Sequence, residues 1–99
     1  MKENIAKEVL KINDLWENTN KEIITENVEY FLCSKFPECQ AYKPKMKKLE
    51  EITGSKKDTI YAWLNRSRTN VKIPLLKLCK IATDLDVNIE EMFSKRSDN

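Results

Sequence analysis

Leu49-Glu50-Glu51-Ile52-Thr53-Gly54-Ser55-Lys56-Lys57-Asp58-Thr59-Ile60-Tyr61-Ala62-Trp63-Leu64 is the stretch on which the reading of this chain turns. Gly54 is the only glycine in the 99 residues. It separates two runs whose apolar residues recur at helical spacing, and glycine reaches φ > 0 without a Cβ clash. Ser55, with Asp58 three residues on, has the form of a capping box that starts a new helix over 56–65. A short helix, a tight glycine turn and a second helix opening with two lysines are therefore expected at the centre of the fold.

Outward from the turn, the pattern stays helical. Ile5, Val9, Ile12 and Trp16 fall at i, i+4, i+7 and i+11, one stripe of an amphipathic helix over 1–18, with Leu10 and Leu15 beside it. Thr19 and Glu22 form a second capping box, followed by Ile23, Ile24, Val28, Phe31 and Leu32 in a helix to about Lys35. Residues 36–43 read as a loop, and Pro44 suits the first position of the helix that ends near Thr53. Residues 65–72 read as an exposed basic loop. Pro74 opens a further helix with Leu75, Leu78, Cys79 and Ala82 inward and Leu76 or Leu85 at the border. Asn88 and Glu91 make a third capping box before a final short helix with Ile89, Met92 and Phe93. The expected fold class is all-α, a compact bundle of about six helices containing a helix-turn-helix.

Net charge is +2, but it is unevenly spread. Residues 1–30 hold four lysines against seven acids, residues 31–80 twelve Lys or Arg against four acids, and residues 81–99 two against five. The positive charge lies in the stretch that contains the turn, where phosphate contacts are needed if the partner is duplex DNA. Solvated helix faces are the competing explanation. No apolar run approaches the roughly 18 residues of a membrane span, and no signal peptide opens the chain. Cys33, Cys39 and Cys79, odd in number and without a CxxC pair, suggest reduced thiols and a cytoplasmic location. Cys79 reads as a small core residue. Cys33 and Cys39 can pair or bind metal, but without His or two further thiols no closed zinc site forms within one chain.

From Met46 to Phe93 the chain resembles the lambda-repressor-like (Cro/C1, xenobiotic-response-element-type) helix-turn-helix domain. The residues that carry the resemblance are Leu49, Thr53-Gly54, Thr59-Ile60 with Trp63, Ile73-Pro74 with Leu78-Cys79-Lys80-Ile81-Ala82, and Asp86-Val87-Asn88-Ile89-Glu90-Glu91-Met92-Phe93. Ser55 and Lys56 depart from it, since the family usually has an apolar residue and then Ser or Thr there. The resemblance implies a DNA-binding domain over 19–94, with 1–18 as an N-terminal helical extension outside it and 95–99 as a frayed tail. It also implies a transcriptional regulator, a repressor, whose helix 56–65 enters the major groove while the helix before it abuts the backbone.

Within 56–65, Ile60, Trp63 and Leu64 share one face and read as core. Lys57, Tyr61 and Asn65 lie opposite, with Asp58 and Ala62 alongside. The expected base-reading residues are Lys56, Lys57, Asp58, Tyr61 and Ala62. The expected backbone contacts are Lys45, Lys47, Thr59, Asn65, Arg66 and Arg68, with Lys48 beside them. Lys56 and Lys57 are the most telling pair, because the macrodipole opposes cations in the first turn of a helix. Asp58 can accept from cytosine N4, but capping back to Ser55 needs no ligand and is the favoured role.

Without histidine, and with no nucleophile–base constellation, phosphate loop or paired metal carboxylates, no catalytic residue, cofactor, metal or small-molecule ligand is expected. The expected partner is an inverted-repeat duplex bound by a homodimer, since one recognition helix makes too small a contact for selectivity. The dimer contact is expected in the Ile89/Met92/Phe93 region or the Ile5/Val9/Ile12/Trp16 stripe, unless either closes its own core. The alternative function keeps the fold as a protein-interaction module, antitoxin-like or a phage-encoded inhibitor.

Overall fold

A computed structural model describes residues 2–96, with side chains from Ile5 onward. It contains helices α1 (Lys2–Asn18), α2 (Lys21–Lys35), α3 (Tyr42–Thr53), α4 (Lys57–Leu64) and α5 (Leu75–Leu85), and no strand among the described residues. Two 3-10 turns, Pro37–Gln40 and Ile89–Phe93, complete it. The second of these stands where a final helix was expected, and the first lies inside the expected loop. No helix of the described residues is long and apolar enough to cross a membrane.

The core draws one side of every element after α1. Ile24, Val28 and Leu32 of α2 meet Leu49 of α3, Ile60 and Trp63 of α4, Leu78 and Ile81 of α5, and Met92 below them. On α5 the border residues separate: Leu85 is buried, whereas Leu76 is 79% exposed. Met92 and Phe93 are buried in their own chain, so the C-terminal region is not an open contact face. The stripe on α1 divides. Ile12, Leu15 and Trp16 pack against the core, but Ile5 and Val9 are exposed, as is Leu10. The expected tail falls partly on 97–99, outside the described residues. Within them the Arg96 guanidinium lies 3.6 Å from the Tyr30 ring centroid, so this part is docked.

The helix starts differ from the expected capping boxes. Asn20 caps α2, its side-chain oxygen accepting from the Ile23 N–H at 3.0 Å, while the Thr19 hydroxyl turns back to the Leu15 carbonyl. Asn88 does cap its turn, but through the Glu90 N–H and without Glu91. Pro44 is the third residue of α3 and not the first, because Ala41 is the N-cap and Tyr42 begins the helix. A proline anywhere in the first turn loses no intrahelical bond, so the position alone did not fix the start.

Helix ends are capped largely by lysines from elsewhere in the chain. The Lys72 ammonium donates to the carbonyls of Trp16 and Glu17 at the end of α1, at 2.6 and 3.2 Å. Lys77 donates to Thr53 at the end of α3 (2.9 Å), and Lys35 to Asp84 at the end of α5 (3.0 Å). Lys21, only 4% exposed, donates to Ala62, Asn65 and Arg68 at 2.7, 2.6 and 2.8 Å, gathering the end of α4 and the turn beyond it. Each ammonium reaches at least one helix-end carbonyl that has no intrahelical partner and sits at the negative end of a helix dipole, whereas the Asn65 and Arg68 carbonyls lie beyond α4 and also accept the N–H groups of Arg68 and Val71. Burial, with Arg68 and Arg66 nearby, lowers the Lys21 pKa from its ordinary 10.5, but three carbonyls call for all three ammonium donors.

Candidate nucleic-acid interface

The turn between α3 and α4 is built around Gly54, whose φ of 71° and ψ of 9° are left-handed. Its N–H closes α3 on the Glu50 carbonyl at 2.8 Å. Buried Thr53 stitches both sides, donating its hydroxyl to Leu49 and accepting the Ser55 N–H at 3.2 Å. The Ser55–Asp58 capping box therefore does not form. The N-cap of α4 is Lys56, extended at φ −80° and ψ 160°, and its side chain makes no capping bond. The helix spans 57–64, one residue shorter at each end than expected.

Ile60, Ala62 and Trp63 of α4 are buried, and Leu64 is half-buried. Lys57, Asp58 and Tyr61 face outward, as does Thr59. Together with Tyr42, Lys43, Met46, Lys47 and Glu50 of α3, the first three line an open groove between the two helices. Ala62 corrects the expectation, for it is not on the outward face. The N-terminal part of α2 covers that flank of α4, with Lys21 on the Ala62 carbonyl and the Thr25 hydroxyl donating to the Trp63 carbonyl at 3.3 Å.

Several expected backbone contacts are engaged within the chain. Lys45 is half-buried and 3.0 Å from Glu29. Arg66 lies 2.8 Å from Glu29, 3.3 Å from Glu26 and 3.9 Å from Glu22, so its charge is set in an acidic row along α2. Lys48 pairs with Glu51 at 3.5 Å and stands 4.3 Å from the Phe36 ring centroid. Asn65 is half-buried, and its side-chain oxygen accepts the Ser67 N–H at 3.0 Å. Such surface pairs contribute little stability, about 0–1 kcal/mol, but they lower the charge offered outward. Arg68 remains exposed, with no ion pair among the described residues.

Lys43, Lys47, Lys56 and Lys57 also have no ion pair among the described residues, and all four are exposed on α3, α4 or the turn. Tyr42 and Tyr61 stand beside them, 53% and 51% exposed. Tyr42 and Lys43 are additions to the expected site. Had α3 been started at Tyr42, the pairing of Lys43 with Lys47 and of Tyr42 with Met46 at i, i+4 would have placed both on this face.

Cys33, Cys39 and Cys79 are free thiols. Burial is the main cause that pushes Cys39 and Cys79 above the ordinary thiol value, which makes them poor nucleophiles. No group of three His, Cys, Asp or Glu residues able to hold a metal occurs among the described residues. No family model, curated protein or solved structure matches the chain.

Proposed function

We propose that the chain is a sequence-specific, double-stranded-DNA-binding transcriptional regulator of the cytoplasm, a repressor, that reads an inverted repeat as a homodimer with α4 in the major groove. The observation that carries this reading is the face shared by α3 and α4. Lys43, Lys47 and Lys57, without an ion pair among the described residues, line one groove there with exposed Tyr42 and Tyr61, and Lys56 stands at the adjacent N-cap, opposite the buried Ile60 and Trp63. Lysine at the N-cap and at the first position of a helix opposes the macrodipole, and a polyanion offsets that cost. In this reading Lys57 and Tyr61 reach base edges or sugars, and Lys43, Lys47, Lys56 and Arg68 hold phosphates.

The test is anisotropy titration of a site selected from random duplexes, against a scrambled duplex, across a salt series. Lys57→Ala should weaken the selected site about 5- to 150-fold if it reads a base, corresponding to roughly 1–3 kcal/mol, or lower the salt slope by about one if it touches phosphate. Tyr61→Ala should weaken the same site without changing the thermal transition. Wild-type affinity and salt slope in both variants would reject α4 as the reader. One observation favours a protein partner instead: Glu50 and Asp58 line the same groove as the lysines, and carboxylates repel phosphate. Under that reading the chain co-purifies with a protein target and selects no duplex.

A further inference from the structure

We propose that an acidic row on α2 withholds Arg66 from the duplex, so that Glu22, Glu26 and Glu29 set how tightly, and over what salt range, the α3–α4 face binds. The inference rests on the DNA-binding reading and adds to it a restraint carried by the chain itself.

The row follows from sequence spacing. Glu22, Glu26 and Glu29 stand at i, i+4 and i+7, which brings them to one face of α2. A line of carboxylates offers a guanidinium the same charge-assisted bonds that phosphates do. Arg66 takes them. It directly follows Asn65, the C-cap of α4, and its guanidinium lies 2.8 Å from Glu29, 3.3 Å from Glu26 and 3.9 Å from Glu22.

Two features keep it there. Glu29 is pinned from both sides, one oxygen accepting from Arg66 and the other from Lys45 of α3 at 3.0 Å. The row also holds three carboxylates against two cations, so a phosphate approaching Arg66 meets an excess of negative charge. Arg68, two residues on, is exposed and has no ion pair among the described residues. One loop thus carries one cation held and one offered. Each phosphate contact adds about 0.9 to the salt slope and carries no sequence information. Holding Arg66 back therefore lowers binding to every duplex alike and leaves base reading by Lys57 and Tyr61 untouched.

The test is anisotropy titration of the selected and scrambled duplexes over a salt series, with wild type, Arg66→Gln, Glu26→Gln/Glu29→Gln and their combination. Glu26→Gln/Glu29→Gln should bind both duplexes about three- to tenfold more tightly near 0.1 M salt, with a slope steeper by about one. Arg66→Gln should leave the wild-type slope unchanged and cancel most of that gain in the combination. A wild-type slope lowered by about one in Arg66→Gln overturns the proposal, because Arg66 then already touches phosphate. So does a gain undiminished by Arg66→Gln, which is plain relief of repulsion, or no gain at all. Should loss of Glu29 unfold the chain, Glu22→Gln/Glu26→Gln, at the two more exposed acids, should give a smaller gain with the same dependence on Arg66. If none of the proteins binds duplex, the DNA reading fails, and elution from a heparin column decides the withholding by itself. Later elution of the acid-neutralised variant, reversed by Arg66→Gln, retains it, and equal elution of all four overturns it.

Discussion

Lys56→Ser separates the stability of α4 from whatever its lysines bind. Lys56 has the extended backbone that an N-cap requires, and its carbonyl already accepts the first helical bond, from the Ile60 N–H at 3.0 Å. Its side chain is the wrong kind, being a donor where the helix presents donors. A serine hydroxyl at the same backbone angles accepts the Thr59 N–H, which contributes about 0.5–2 kcal/mol. Removing a cation from the positive end of the helix adds roughly 0.3–1 kcal/mol, reduced by exposure and salt. A net gain of about 1–2 kcal/mol is expected, and in a domain of this length that raises Tm by roughly 4–8 °C per kcal/mol. Differential scanning calorimetry reads it directly. In the DNA-binding reading, the stabler variant binds duplex more weakly and its salt slope falls by about one. An unchanged or lowered Tm would show that α4 does not begin at Lys57. A raised Tm with unaltered DNA affinity would remove Lys56 from the interface.

Two further outcomes test the turns that hold this face. Lys21→Met keeps the chain length but strips the carbonyls of Ala62, Asn65 and Arg68 of their shared donor, so a loss of about 2–4 kcal/mol by urea unfolding is expected; wild-type stability would mean that water replaces the ammonium without cost. Gly54 and Asp86, at φ 71° and 58°, are the left-handed positions among the described residues, so they should respond in opposite directions. A Cβ at Gly54 meets nothing within 4 Å, so Gly54→Ala should cost only the backbone strain, about 1–2 kcal/mol, and Asp86→Gly should gain about 0.5–1 kcal/mol. Equal effects of the same sign by thermal unfolding would refute that assignment.

The helical periodicity survived folding better than the helix starts. Ile60 and Trp63 are buried where their spacing put them, and Gly54 is left-handed as its position between two apolar runs required. The capping boxes were less legible because Ser, Thr, Asp and Asn have several local backbone partners. Thr19 turned to α1, Asn20 took the cap, and Ser55 gave only its N–H to Thr53. Periodicity within one helix also cannot show a second helix on its flank. Ala62 looked outward until α2 was laid against α4 by Lys21 and Thr25, contacts 41 and 38 residues apart in the chain. Leu85 and Leu76 were indistinguishable for the same reason, both bordering the apolar stripe of α5.

The linear charge count is least informative where it looked strongest. Of the twelve basic residues in 31–80, Lys35, Lys72 and Lys77 close helix ends, and Lys45, Lys48 and Arg66 face acids. Those six are engaged within the chain, the first three at helix ends and the other three in surface ion pairs, so their charge is accounted for without a partner. The other six are Lys43, Lys47, Lys56, Lys57, Arg68 and Lys80, and the first four lie on α3, α4 and the turn between them. A surface left basic only because lysines tolerate water would scatter these cations over every helix. Their concentration beside Tyr42 and Tyr61, two of them at the helix end that least favours positive charge, is the feature on which the proposed DNA-binding reading rests, and Glu50 and Asp58 in the same groove are what weighs against it.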